Sequence, residues 1–141
     1  MENCVFCKIV RRVAEVSIVQ EDDTCLAFLD LFPVHSGHTL VVPRDHVADL
    51  SSCPKDLACH LFGMATELAP VITEVSGADG FNVWTANGTA AGQEVLHLHL
   101  HILPRFKGDA FGLRFPKGYP AEAGRAELEA MAEKIRSKVR K

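Results

Sequence analysis

His97-Leu98-His99-Leu100-His101-Ile102-Leu103 is the stretch from which the rest of this chain is read; it holds three of the seven histidines. Histidine and apolar residues alternate, which is the period of a β-strand. His97, His99 and His101 are therefore expected on one face, and Leu98, Leu100 and Ile102 on the other, buried one. At roughly 3.3 Å per residue, the outer two imidazoles stand about 13 Å apart on a regular strand. One zinc ion with ligands at about 2 Å cannot hold all three. Two of them could share a metal, and the third then needs another task. Packing alone explains such a row poorly, because imidazole is costly to bury without hydrogen-bond partners.

Outward from this run, the same period recurs in short pieces. Residues 16–20 and 25–29 read as two strands joined by the polar turn Glu21-Asp22-Asp23. Thr39-Leu40-Val41-Val42 reads as a third strand, closed by Pro43. Residues 81–85 and 95–103 supply the last two, with residues 87–92 looping between them. Between the third and fourth strands the period becomes helical. Leu57, Leu61, Met64, Leu68 and Ile72 share one face, and Gly77 is the expected stop. Pro70 should kink or shorten this helix near its end. Pro120 is expected to open a terminal helix carrying Leu128, Met131, Ile135 and Val139 on one side. The basic tail from Arg136 to Lys141 suits the negative end of that helix. Strands that follow one another without crossover helices imply an antiparallel sheet, so the expected class is α+β.

The 141 residues are 48% hydrophobic, enough for one domain spanning 1–141 with a core of its own. No stretch approaches the roughly 20 apolar residues of a membrane span, and the N-terminus lacks the basic flank and apolar core of a signal peptide. A cytoplasmic location and no membrane partner are expected. The net charge of −3 argues against a nucleic-acid binder, which normally presents a basic surface. The five cysteines are an odd number without the spacing of a disulfide framework. Cys25, Cys53 and Cys59 read as small buried apolar residues. Cys4 and Cys7 form Cys-x-x-Cys, a spacing open to a zinc knuckle, a redox pair or chance.

The histidine run with Pro104-Arg105 resembles the signature of the histidine-triad (HIT) family of nucleotidyl hydrolases and transferases. The resemblance extends to Cys4-Val5-Phe6-Cys7-Lys8-Ile9, which is similar to the opening of its bacterial branch. It continues through Phe28-Leu29-Asp30, Gly37-His38-Thr39-Leu40-Val41-Val42-Pro43, His46 and Ala91-Gly92-Gln93. It covers about residues 4–106, and residues 107–141 belong to a segment that varies in the family. It implies a five-stranded antiparallel meander with a central and a C-terminal helix. It also implies attack on the α-phosphorus of a small-molecule nucleotide by the middle histidine, His99, with release of nucleoside monophosphate from a nucleotidyl-histidine. Imidazole suits that role, because at an ordinary pKa near 6.5 much of it is neutral at pH 7.

The resemblance places further residues. His101 would contact the phosphate or the leaving group, and His38 would line the same site. Gln93 would hydrogen-bond phosphate, unless it is a plain turn residue, and Asn87 would be a phosphate neighbour. Asp30 would accept from the ribose hydroxyls. Phe6, Ile9, Phe28, Leu31 and Leu40 would line the base cleft, though apolar residues there also suit a core. Cys4, Cys7, His46 and His97 would bind a structural zinc ion, with no organic cofactor; the alternative is a metal-free site in which the histidines pack. Glu94 stands where many relatives carry Ser or Thr, so it should turn away from phosphate or meet a cation. Adenosine phosphoramidates or adenylylated compounds are the substrates implied first. A dinucleoside polyphosphate hydrolase is the second reading, and a zinc-stabilised nucleotide-binding or scaffold protein the third. The family also implies a homodimer.

Overall fold

Three nearly continuous apolar runs, at 25–29, 39–43 and 100–105, make the centre of the sheet because both of its faces are covered. The computed structural model describes residues 3–139. These fall into two compact units, residues up to 110 and residues from 111.

The first unit holds α1 (Val5–Val10), β1 (Ile18–Glu21), β2 (Cys25–Leu29), β3 (Thr39–Pro43), α2 (Lys55–Ser76), β4 (Gly80–Trp84) and β5 (Leu100–Arg105). All strand pairs are antiparallel, in the order β1-β2-β3-β5-β4. The class is α+β. The first three strands follow one another directly. β4 then takes the outer edge, and β5 returns into the space beside β3.

α2 covers one face. Its Leu61, Met64, Ala65, Leu68, Ala69 and Ile72 pack with Val41, Leu98, Leu100 and Ile102 in one cluster. Each of these larger side chains contributes roughly 1.5–3 kcal/mol by leaving water. The opposite face carries a second cluster of Phe6, Ile9, Leu26, Phe28, Leu40 and Val42. Leu98, Leu100 and Ile102 all point to the α2 side, which leaves His99 and His101 to the other.

The structure departs from the sequence reading in element boundaries and in burial. β5 begins at Leu100 rather than 95, because the chain bends just before it. There His97 N donates to Val95 O at 2.8 Å, and Leu98 N donates to Val47 O instead of to a neighbouring strand. α2 is not shortened at Pro70 but continues to Ser76. The buried Leu68, Ala69 and Ile72 hold this stretch, and Thr73 and Ser76 donate to the Ala69 and Ile72 carbonyls. Gly77 then ends the helix in the left-handed conformation, φ 66°. Cys59 is exposed rather than buried, since it falls opposite the Leu61–Met64 stripe; Cys25 is buried and Cys53 partly so.

The second unit carries α3 (Arg125–Arg136). It starts five residues after Pro120. A helix opening at Pro120 would place Gly124 in its interior, at a cost of about 1 kcal/mol, and Gly124 serves instead as the extended N-cap. Leu128, Met131, Ile135 and Val139 are exposed. Arg136 pairs with Glu129 and Glu133. Arg140 and Lys141 of the basic tail lie outside the described residues. Among the described residues, no helix is long and apolar enough to cross a membrane.

Candidate functional site

His38, His99 and His101 converge on the α1 side of the sheet, each placed by a different constraint. His38 sits just before β3, behind Gly37. The turn there needs φ +93° at Gly37, a conformation L side chains rarely adopt. His101 lies within β5, between Leu40 on β3 and Trp84 on β4. His99 precedes β5 and is 6% exposed.

Hydrogen bonds select the tautomer of each ring. His99 Nδ1 lies 2.7 Å from the His97 carbonyl oxygen, which can only accept. Nδ1 therefore carries the proton, and Nε2 holds the lone pair. Val34 N donates to His38 Nδ1, so the neutral His38 ring carries its proton on Nε2. That proton goes to His101 Nδ1 at 3.0 Å. His101 in turn carries its proton on Nε2. The Asp30 carboxylate lies 3.6 Å from His38 Nδ1 and within 4.8 Å of a ring nitrogen of His101.

Burial decides the protonation of His101 and His38. Desolvation pushes His101 down to about 4, with His99 and His38 adding to the effect and Asp30 opposing it. Desolvation also lowers His38, against the attraction of Asp30. Both rings are accordingly neutral near pH 7. The loop bearing His38 is fastened from outside. Asp109 accepts from Arg105, from the Phe106 backbone and from His35. The Arg105 guanidinium, then the Phe106 N–H, hold the Asp109 carboxyl well below the usual range. His35 is thus structural, as is His60, which pairs with Asp22 at 2.8 Å.

A second cluster adjoins the first. Cys4, Cys7, His46 and His97 bring their ligand atoms within 4.8 Å of one another. Cys4 Sγ and Cys7 Sγ stand 3.5 and 3.6 Å from His97 Nδ1, and Cys7 Sγ is 3.2 Å from His46 Nδ1. A tetrahedral zinc with bonds of about 2.3 Å to sulfur and 2.05 Å to nitrogen requires S···N separations of about 3.5 Å. The donor set therefore fits zinc in kind and in spacing. His97 Nε2 donates to Pro43 O at 2.9 Å, which turns its Nδ1 lone pair toward the thiols. Burial lowers His97 and raises the Cys7 thiol, the latter helped by Cys4. A metal would reverse the cost to the thiol by stabilising the thiolate.

The remaining expected residues divide. Phe6, Ile9, Phe28 and Leu40 pack together beside the histidines, and the Phe6 and His99 rings meet edge to face with centroids 5.2 Å apart. Leu31 does not join them. It is 83% exposed, because the chain turns outward directly after β2. Gln93 is buried, but its amide is not offered to a ligand. Oε1 accepts from Gly88 N, and Nε2 donates to Ala48 O and Val95 O. These bonds tie the side chain into the 88–93 loop. Asn87 Oδ1 accepts from Leu50 N and its Nδ2 donates to Thr85 O at 3.5 Å, leaving one Nδ2 proton as what it could present to phosphate. Glu94 is exposed. Trp84 is the site residue that the motifs pass over. Its pairing with His101 across β4 and β5 is a matter of register alone.

Comparison with known proteins places this geometry. The HIT domain family model matches residues 11–108. The structure of SMU.412c from Streptococcus mutans UA159 superposes with a TM-score of 0.92 at 37% identity, covering 99% of this chain and 87% of that one. The Zn-bound histidine triad family protein from Mycobacterium smegmatis superposes at 0.75, with 34% identity over 98% and 99% of the two chains. Among curated proteins, adenylylsulfatase HINT3 of Arabidopsis thaliana is 37% identical over 107 residues, 76% of this chain and 54% of that protein.

Proposed function

Because the chain belongs to the HIT domain family, we propose that it is a nucleotide hydrolase that works through a nucleotidyl-His99 intermediate and releases nucleoside monophosphate. The orientation of His99 carries this reading. With its Nδ1 proton held by the His97 carbonyl, the Nε2 lone pair is the nucleophile. In the first step the Nε2–phosphorus bond forms and the bond from phosphorus to the leaving amine or oxyanion breaks. In the second, water attacks phosphorus, the bond to Nε2 breaks, and the monophosphate departs. His101 serves both steps through its Nε2–H, aimed by the bond from His38 to its Nδ1. An entering phosphate carries negative charge and raises the proton affinity of this ring. Proton sharing with the leaving group then becomes favourable as charge builds there.

Asp30 would take the ribose hydroxyls, and the apolar surface of Phe6, Ile9, Phe28 and Leu40 would take the base. A structural zinc on Cys4, Cys7, His46 and His97 would pin α1 to the segment before β5. The four protein ligands leave it no open position for substrate. Adenosine phosphoramidates and adenylylated compounds are the substrates we favour, and the relatedness to an adenylylsulfatase supports the adenylyl group. A homodimer is part of the same reading. Phe62, Val71 and Val75 of α2 and Phe81 of the edge strand β4 are all exposed large apolar residues. Sedimentation at micromolar concentration should give twice the 15.4 kDa chain mass.

The deciding experiment stops the reaction within milliseconds and maps the adduct by mass spectrometry. Nucleotide on His99 is expected; nucleotide on His97 or His101, or none on the protein during active turnover, refutes the mechanism.

A further inference from the structure

Trp84, the chain's one tryptophan, lies on the edge strand opposite His101 in the β4–β5 register. The two rings are parallel within 4°, with centroids 4.5 Å apart. The indole also reaches His38, at 5.9 Å and 30°. His101 is thus confined on several sides. Trp84 covers one face, His38 holds Nδ1, and the His99 ring stands 4.8 Å away at 62°. The Nε2–H edge is the one these contacts leave for a ligand.

Trp84 lies outside the core cluster that α2 covers. Val83 supports the α2 cluster, and by strand alternation Trp84 faces the opposite side, where it is only partly buried. What the indole adds is a flat π face against an imidazole. That face prevents rotation of the ring about χ2. It also attracts the cationic form of the ring, offsetting part of the burial that disfavours it. Asp30, whose carboxylate lies within 4.8 Å of ring nitrogens of both His38 and His101, acts in the same sense, while His38 and His99 oppose it when protonated.

We propose that Trp84 is a positioning residue. By stacking on His101 it holds the Nε2–H toward the leaving group, and it matters most for substrates whose leaving group needs a proton. This rests on the hydrolase reading above. The class singled out is nucleoside phosphoramidates of basic amines, rather than mixed anhydrides whose leaving anion departs unprotonated.

The test compares wild type, Trp84→Leu and Trp84→Phe on two substrates, an adenosine 5′-phosphoramidate of an alkyl amine and adenylyl sulfate. Trp84→Leu should lower kcat on the phosphoramidate by about ten-fold or more, with little change in KM and little loss on adenylyl sulfate. Trp84→Phe should restore most of it. Equal loss on both substrates, no loss on either, or no rescue by Phe overturns the proposal. Imidazole nitrogen NMR of the same three proteins reads the ring without turnover. His101 should be a single Nε2–H tautomer in wild type and Trp84→Phe, and a mixture in Trp84→Leu. If wild type hydrolyses neither substrate, the hydrolase reading fails, and the NMR decides the positioning role alone. A single tautomer retained in Trp84→Leu would then refute it.

Discussion

His99 donates its Nδ1 proton to the backbone carbonyl of His97 across 2.7 Å. The same His97 turns its own Nδ1 toward Cys4 and Cys7. One residue therefore joins the cysteine cluster to the ring with the free Nε2 lone pair. Phe6, between the two cysteines in sequence, makes T-shaped ring contacts with both His97 and His99. Any displacement of the N-terminal segment should reach the His99 ring through these contacts.

That linkage gives the metal prediction. Purified protein should hold about one zinc per chain. The double variant Cys4→Ser, Cys7→Ser should lose it, melt at lower temperature and retain reduced activity, because His99 keeps its place in the chain but loses its support. Unchanged melting together with full activity would show that the thiols anchor nothing.

Replacing His99 by Ala should lower turnover by about 10⁴-fold or more, since a covalent route loses its nucleophile. Nucleoside monophosphate binding, followed by calorimetry, should stay within a few-fold of wild type. Near-normal turnover in this variant would exclude the covalent route.

Asp30→Ala should narrow the preference for ribonucleotides over deoxyribonucleotides, because a carboxylate can accept from two adjacent hydroxyls and a deoxyribose offers one. Competitive binding of the two monophosphates to wild type and variant measures this. Identical discrimination by both proteins would place the ribose elsewhere.

His101 makes stability depend on pH. Its folded pKa is pushed down to about 4 from an ordinary 6.5, so the unfolded chain binds the proton more readily. The stability this neutral ring allows is complete above about 6.5, falls as pH drops toward about 4, and changes no further below that. Burial of His38 acts in the same direction. Urea melts between pH 7 and 4.5 should decline less steeply in His101→Gln than in wild type. An equal slope would mean that the ring is not held neutral by its burial.

Gln93→Ala removes the acceptor of Gly88 N and the donor to Ala48 O and Val95 O in a buried place. A loss of about 1–3 kcal/mol is expected from the unpaired backbone groups. Gln93→Glu should be no better, because a carboxylate can accept from Gly88 N but faces two carbonyl oxygens it cannot donate to. Denaturant midpoints of the two variants test this.

Side-chain alternation is a local property, and it was legible in the sequence. Leu98, Leu100 and Ile102 meet α2, and His99 and His101 face away, because period two needs no knowledge of the partner strands. The stripe from Leu61 to Ile72 and the stop at Gly77 were legible for the same reason. The strand's start at Leu100 was not, since it depends on Val47 capturing the Leu98 N–H. Nor was the work of Gln93, whose partners at Ala48, Gly88 and Val95 meet only after the loop has closed. The grouping of Cys4 and Cys7 with His46 and His97 came from the family resemblance rather than from spacing, and the tautomers of the three histidines and the face of Trp84 on His101 belong to the tertiary structure. Each depends on which atom of a distant residue arrives within bonding distance, and spacing along a chain does not encode that separation.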